Sequence, residues 1–154
     1  MNAYFLDSSA LVKRYIKETG TIWTIGLFKH AKANRIYLAR ICFVEVVSAI
    51  TRRARSNSLS QISAGKSIAR FKRAFKKRFR HIEISEALIE RAADLAEKYA
   101  LRGYDAVQLS AVLTANNARI TVGASPLIFV CADDNLNDAA KAEGLAVENP
   151  NTYP

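Results

Sequence analysis

Two short stretches of this chain, Ala3-Tyr4-Phe5-Leu6 and Leu127-Ile128-Phe129-Val130-Cys131-Ala132, are apolar at nearly every position, and each stops at an aspartate. A strand with one face in water alternates apolar and polar residues. An unbroken apolar run suits a strand covered on both faces, as in a parallel sheet flanked by helices. Further strand candidates are Arg35–Ala39, Ile82–Ile84 and Leu145–Val147. Between them lie segments with helical periodicity: Ser8 or Ser9 to about Glu18, Thr21–Ala33, Phe43–Arg55, Ser60–Arg78, Glu86–Leu101, Asp105–Ala118 and Asn135–Glu143. Gly20 and Gly103 read as helix stops. Strands alternating with helices imply a single α/β domain over residues 1–154, its mainly parallel central sheet covered by helices on both faces.

The 154 residues suffice for one full core, and half of them are hydrophobic. The longest purely apolar run, Leu127–Ala132, is far short of the roughly 20 residues that span a bilayer. The N-terminus lacks a basic stretch before its apolar residues, so no signal peptide is expected. Cys42 and Cys131 stand alone, without a Cys-x-x-Cys, which suits a reducing, cytoplasmic setting and small buried apolar roles. His30 and His81 are isolated and read as structural or surface residues, and Trp23 and the phenylalanines as core. There is no glycine-rich phosphate loop.

The charge is unevenly spread. The chain carries a formal +9, yet no acid lies between Glu45 and Glu83. Eleven of the 23 Lys and Arg fall in that gap, leaving 12 against all 14 acids elsewhere. Within this basic segment, about residues 52–80, Ala64, Ile68, Phe71, Phe75 and Phe79 form one helical apolar stripe. Bases occupy the other faces. Such a patch attracts phosphate backbones, and Arg73, Lys76, Lys77 and Arg80 are the candidate substrate contacts. A solvated helix face or a membrane-surface helix would show the same charges, although the apolar stripe is wanted by a core.

Four acids stand beside apolar runs: Asp7, Glu45, Asp105 and Asp133. A carboxylate in such a setting is costly unless it is paired, hydrogen-bonded or coordinating a metal. Glu45 sits within Phe43-Val44-Glu45-Val46-Val47 and has no cation one helical turn away. Asp7 and Asp133 end strands, where open α/β sheets bind ligands. Capping explains Asp7 and Asp105 taken alone, and an Asx turn explains Asp133. A shared oxygen-rich site for Mg²⁺ or Mn²⁺ would explain all four.

These residues, in this order, resemble the PIN-domain ribonucleases, and most closely their VapC-type toxins. Tyr-Phe-Leu-Asp7-Ser8-Ser9 resembles the family's opening strand and first acid. Glu45-Val46-Val47-Ser48-Ala49 resembles its second acid, Tyr104-Asp105-Ala106-Val107-Gln108-Leu109 its third, and Val130-Cys131-Ala132-Asp133-Asp134-Asn135 its fourth. The tail from Ala139 to Pro150 also matches. Gln108 stands where many relatives carry His, and Asp134 where they often carry a base. Asp133, which directly ends its strand, is favoured over Asp134 and Asp138 for the fourth position. The resemblance implies a metal-dependent endoribonuclease in which Asp7, Glu45, Asp105 and Asp133 hold Mg²⁺ or Mn²⁺. It also implies an RNA substrate, a small antitoxin partner and a homodimer. Ser9 would position a water or a carboxylate, or simply cap the first helix. A non-catalytic RNA-binding module or a housekeeping RNA-processing nuclease would share these residues. A phosphatase using Asp7 as nucleophile fits less well, because Ser9 stands where a second aspartate is wanted.

Overall fold

The computed structural model describes residues 2–29 and 34–154. Five strands form one sheet: β1 (Ala3–Leu6), β2 (Arg35–Ala39), β3 (Arg80–Ile82), β4 (Ile128–Val130) and β5 (Ala146–Glu148). Their order is β3-β2-β1-β4-β5, and every neighbouring pair is parallel. Seven α-helices are seen among the described residues: α1 (Ser8–Leu11), α2 (Thr21–Lys29), α3 (Cys42–Arg55), α4 (Gln61–Arg78), α5 (Glu86–Tyr99), α6 (Gly103–Thr121) and α7 (Asp134–Ala142).

The apolar strands divide their side chains between two cores. Phe5, Tyr37, Ala39 and Phe129 point to one face, where Leu88 and Leu95 of α5, Leu109 and Val112 of α6 and Leu136 of α7 cover them. Leu6, Ile36, Leu38 and Val130 point to the other, under α1, α3 and α4. The unalternating runs of the sequence are thus the signature of two covered faces. Cross-strand partners meet in register, Phe5 opposite Phe129 with ring centroids 6.1 Å apart.

Several elements depart from their predicted bounds. The first helix stops well before Glu18: α1 passes into a 3₁₀ turn at Val12–Arg14. The reason is Lys13, which is buried and donates to the Glu18 carboxylate, the Thr19 carbonyl and the Asn151 side chain, at 3.0, 2.9 and 2.8 Å. Those bonds need residues 18 and 19 folded back rather than helical. Gly20 completes the reversal at φ +83°, where an added Cβ would strike the Pro150 carbonyl. Gly103 opens α6 instead of closing α5; Ala100 takes the left-handed cap at φ 52°. β3 begins at Arg80, two residues early, because its pairing to Tyr37–Ala39 fixes the register. The predicted second helix reached Ala33, and residues 30–33, with His30, lie outside the described residues.

The stripe on α4 is core. Ala64, Phe71 and Phe75 are buried, and Ser60 caps the helix by accepting from the Ser63 amide. The Phe71 ring lies 5.3 Å from Tyr15, 6.0 Å from Phe43 and 5.6 Å from Phe75. His81 stacks on Phe75 at 4.3 Å and is structural, whereas Trp23 is only partly buried, stacked on Tyr153 at 4.5 Å. Like charges crowd the outer faces of α4, so its apolar face must hold it down. Phe71→Ala should therefore cost about 3–5 kcal/mol, the usual cost of emptying a buried aromatic site. Urea unfolding measures this, and a loss below 1 kcal/mol would show that α4 is held by something else.

Candidate active site

Asp7 follows β1 directly. Its amide donates to the Val130 carbonyl at 3.1 Å, extending the ladder to β4 and fixing where the side chain emerges. The side chain is buried. Its Oδ1 accepts from the Ala10 amide at 3.0 Å, capping α1, and from the Ser9 hydroxyl at 2.7 Å. Ser9 Oγ in turn accepts from the Ala132 amide at 2.9 Å, so one hydroxyl ties the ends of β1 and β4 together. Oδ2 meets the Cys131 thiol at 3.3 Å.

Glu45 lies in the first turn of α3 and is partly buried. Its Oε2 accepts from the Ser8 hydroxyl and from Gln108 Nε2, the latter at 2.8 Å. Gln108 is buried, and its Oε1 finds no donor among the described residues. Asp105 lies in the first turn of α6, with Oδ2 3.5 Å from Arg102 Nε. Asp133 caps α7 through Oδ1, which accepts from the Leu136 amide at 2.9 Å; its Oδ2 is 3.7 Å from Arg102 Nη2.

All four acids line one cleft of about 440 Å³ at the carboxyl ends of the strands. Ser8, Ser9, Ser48, Arg52, Arg102 and Gln108 line it too. Of the two alternative fourth acids, Asp134 is exposed and takes a hydrogen bond from Asn149, and Asp138 faces Lys141 at 3.7 Å; neither lines the cleft. None of Arg73, Lys76, Lys77 and Arg80 lines it either. Arg52, at the near end of the basic segment, does so with Arg102. The sequence marks Ser8 only as a possible helix cap and Gln108 only as a departure from the family pattern, and it does not mark Arg102; their place in the cleft is not legible locally. Only the fold brings residue 8 beside 45 and 108.

Burial is the main influence on the carboxylates. It pushes Asp7 up to about 7, against the opposing hydrogen bonds of Ser9, Ala10 and Cys131, with the Glu45 charge adding to the rise. Burial raises Glu45 as well, against Ser8 and Gln108, and Asp105 adds to it. Asp105 is raised by burial and by Asp133, and lowered by Arg102. Each acid thus feels the next, as like charges sharing one site must. Both thiols are also pushed up by burial, Cys42 to about 12, so neither ionises. The cysteines are small buried groups that also hydrogen-bond within the cleft.

The donor set, four carboxylates and no histidine, fits a hard divalent cation bound through oxygen. Among the described residues no three acidic, histidine or cysteine side chains already enclose a common centre. The carboxylates instead satisfy themselves on Ser8, Gln108 and Arg102, so taking up a cation exchanges those partners for the metal.

A model of the PIN domain family matches residues 4–141, most of the chain, and the protein belongs to that family. No curated protein matches the sequence significantly. Solved structures share the fold across nearly all of both chains. VapC20 of Mycobacterium tuberculosis, described as a sarcin-ricin loop cleaving toxin, superposes with a TM-score of 0.62 at 13% identity, covering 98% of this chain and 99% of that one. VapBC2 of Rickettsia felis, bound to a DNA fragment from its promoter, gives 0.60 at 18% identity, covering 96% and 98%. A toxin–antitoxin complex from Klebsiella pneumoniae gives 0.61 at 19% identity, covering 96% and 97%.

The Asp7 shift sets a pH dependence. A buried carboxyl held at about 7, against roughly 3.9 unfolded, favours folding while protonated. Its contribution is whole below about pH 4 and is lost as the pH rises through 7. In metal-free protein, Asp7→Asn should therefore raise stability more at pH 8 than at pH 5, by about 2–3 kcal/mol from linkage alone. Thermal melts at both pH values check this. An equal effect at both would mean that Asp7 titrates as an ordinary surface acid.

Proposed function

We propose that this protein is a divalent-metal-dependent endoribonuclease, the toxin of a toxin–antitoxin pair. The observation that carries the reading is the convergence of Asp7, Glu45, Asp105 and Asp133, from four separate elements, on one cleft. Membership of the PIN family and the fold shared with proteins described as toxins support it.

In this reading the four carboxylates hold Mg²⁺ or Mn²⁺. When bound, such an ion activates water and stabilises charge on the phosphate during in-line displacement. The chain's own groups prepare that chemistry. Ser9 and the Ala10 amide hold Oδ1 of Asp7, and Oδ2, which accepts from the Cys131 thiol, would be the coordinating oxygen. Ser8 and Gln108 orient Glu45 in the same way. Arg102, exposed beside Asp105 and Asp133, and Arg52, at the rim, supply positive charge for the scissile phosphate and its neighbour. The bases of α4, including Arg73, Lys76 and Lys77, lie outside the cleft and would contact the RNA backbone on either side, giving affinity with little sequence choice. A small antitoxin and a second copy of this chain are the partners the reading implies. None of the described helices is long and apolar enough to cross a membrane.

Cleavage of a mixed RNA pool with Mg²⁺, with Mn²⁺ and with EDTA tests the reading. Cutting should require the metal and disappear in Asp7→Asn and Asp105→Asn, both of which should keep the fold. Cutting in EDTA, or full activity in both variants, would contradict it. Ser9→Ala, which removes the brace on Asp7 and the acceptor of the Ala132 amide, should cost about 10–100-fold, as losing a ligand's supporting hydrogen bond does.

A further inference from the structure

A second charged cleft lies away from the acids. At the amino ends of β2 and β3, the opposite end of the sheet, a second cleft of about 320 Å³ is lined by Arg14, Phe28, Arg35, Arg78, Phe79 and Arg80 together with Asn34 and Ile36. It holds four guanidinium groups and no carboxylate. None of the four makes an ion pair among the described residues, although ion pairs form elsewhere at Lys13, Arg40, Arg53, Lys98 and Arg102.

Arg14 is the built part of this cleft. Its guanidinium lies 3.9 Å over the ring of Phe28, which fixes its plane. Its Nη1 is buried and makes no hydrogen bond of good geometry among the described residues; the nearby Tyr15 hydroxyl, also without a partner there, favours its charge more than either neighbouring arginine opposes it. Burial and the neighbouring Arg78 and Arg70 charges both work against that charge. Four like charges with no carboxylate among them repel, and an anion entering the cleft would relieve that repulsion. The aromatic rings favour a nucleic-acid strand over an acidic peptide. Phe28 and Phe79 meet edge to face at 5.9 Å and are only partly buried, so they add ring surface beside the positive charges, the combination that single strands use. The cleft also continues directly into the acid-free exposed face of α4.

We propose that this arginine cleft is a second phosphodiester-binding site, which holds the RNA strand away from the cutting site. The proposal rests on the RNA reading above but not on catalysis. A long RNA engages both ends of the sheet at once, whereas a short one reaches only one of them at a time.

The test separates binding from cleavage. A fluorescent 2′-O-methyl RNA 20-mer, which lacks the free 2′-hydroxyls, is titrated in EDTA against the wild type, Arg35→Gln/Arg78→Gln and a control on α5 and α7, Lys98→Gln/Lys141→Gln. All four replaced residues are exposed, so the folds should survive, and melting curves verify this. The arginine-cleft variant should bind about tenfold more weakly, with its salt slope reduced by about 1, as expected for one or two lost phosphate contacts on a single strand. The control should change less than twofold. Inorganic phosphate should compete with the 20-mer only at millimolar levels. Equal losses in both variants would mean diffuse charge and no site, and unchanged binding would refute the proposal outright. A poly-glutamate peptide that binds through Arg35 and Arg78 while RNA binding is unaffected would overturn it in favour of an acidic protein partner. Lost binding with no cleavage by any form would retain this site and dismiss the nuclease.

Discussion

The structure is organised around bringing four carboxylates together without a permanent counter-charge. Like charges in one partly buried cleft repel, and burial penalises each of them. The fold offsets this with its helix ends. Asp7 caps α1, Glu45 lies in the first turn of α3, Asp105 in the first turn of α6, and Asp133 caps α7. Helix amino termini carry partial positive charge and unpaired N–H groups, which favour an anion. The parallel sheet makes this possible for α1, α3 and α7, which follow β1, β2 and β4 on the side where every strand ends; α6 follows α5 and is held by packing against it. The offset is incomplete, since Asp7, Glu45 and Asp105 all remain raised. What remains is an attraction for a cation, or for Arg102 in its stead.

Capping, which the sequence offers as an alternative to metal binding at Asp7 and Asp133, is what the structure shows at both, and it is compatible with the proposed cation site. One oxygen of each caps a helix and so fixes the carboxylate; the other is left for the cleft. Asp105 makes no cap, since the residue at that position is Arg102, without a side-chain bond. The Asx turn considered for Asp133 is the helix cap itself. Ser9 does not cap either; it braces Asp7 against the end of β4.

Much of the fold is legible in the sequence because local pattern and tertiary role coincide. The apolar runs become doubly covered strands, and the stripe on α4 becomes buried contact. The four acids stand out because each interrupts or ends an apolar run. What the sequence hides depends on contacts between distant residues. Lys13 ends the first helix early through Asn151, 138 positions away. Ser8, Gln108 and Arg102 join the cleft only once β1, α3 and α6 are assembled. The basic segment reads as one patch, but the fold divides it: Arg52 reaches the acids, while Arg78 and Arg80 lie at the other end of the sheet.

The central claim is that the carboxylate cleft is a divalent-cation site. Calorimetric titration of the metal-free protein with Mn²⁺ tests it without any assumption about the RNA target. Saturable binding that is lost in Glu45→Gln, and unaffected in Asp138→Asn, is the predicted result. Binding that survives Glu45→Gln, or no saturable binding to the folded wild type, would contradict the account.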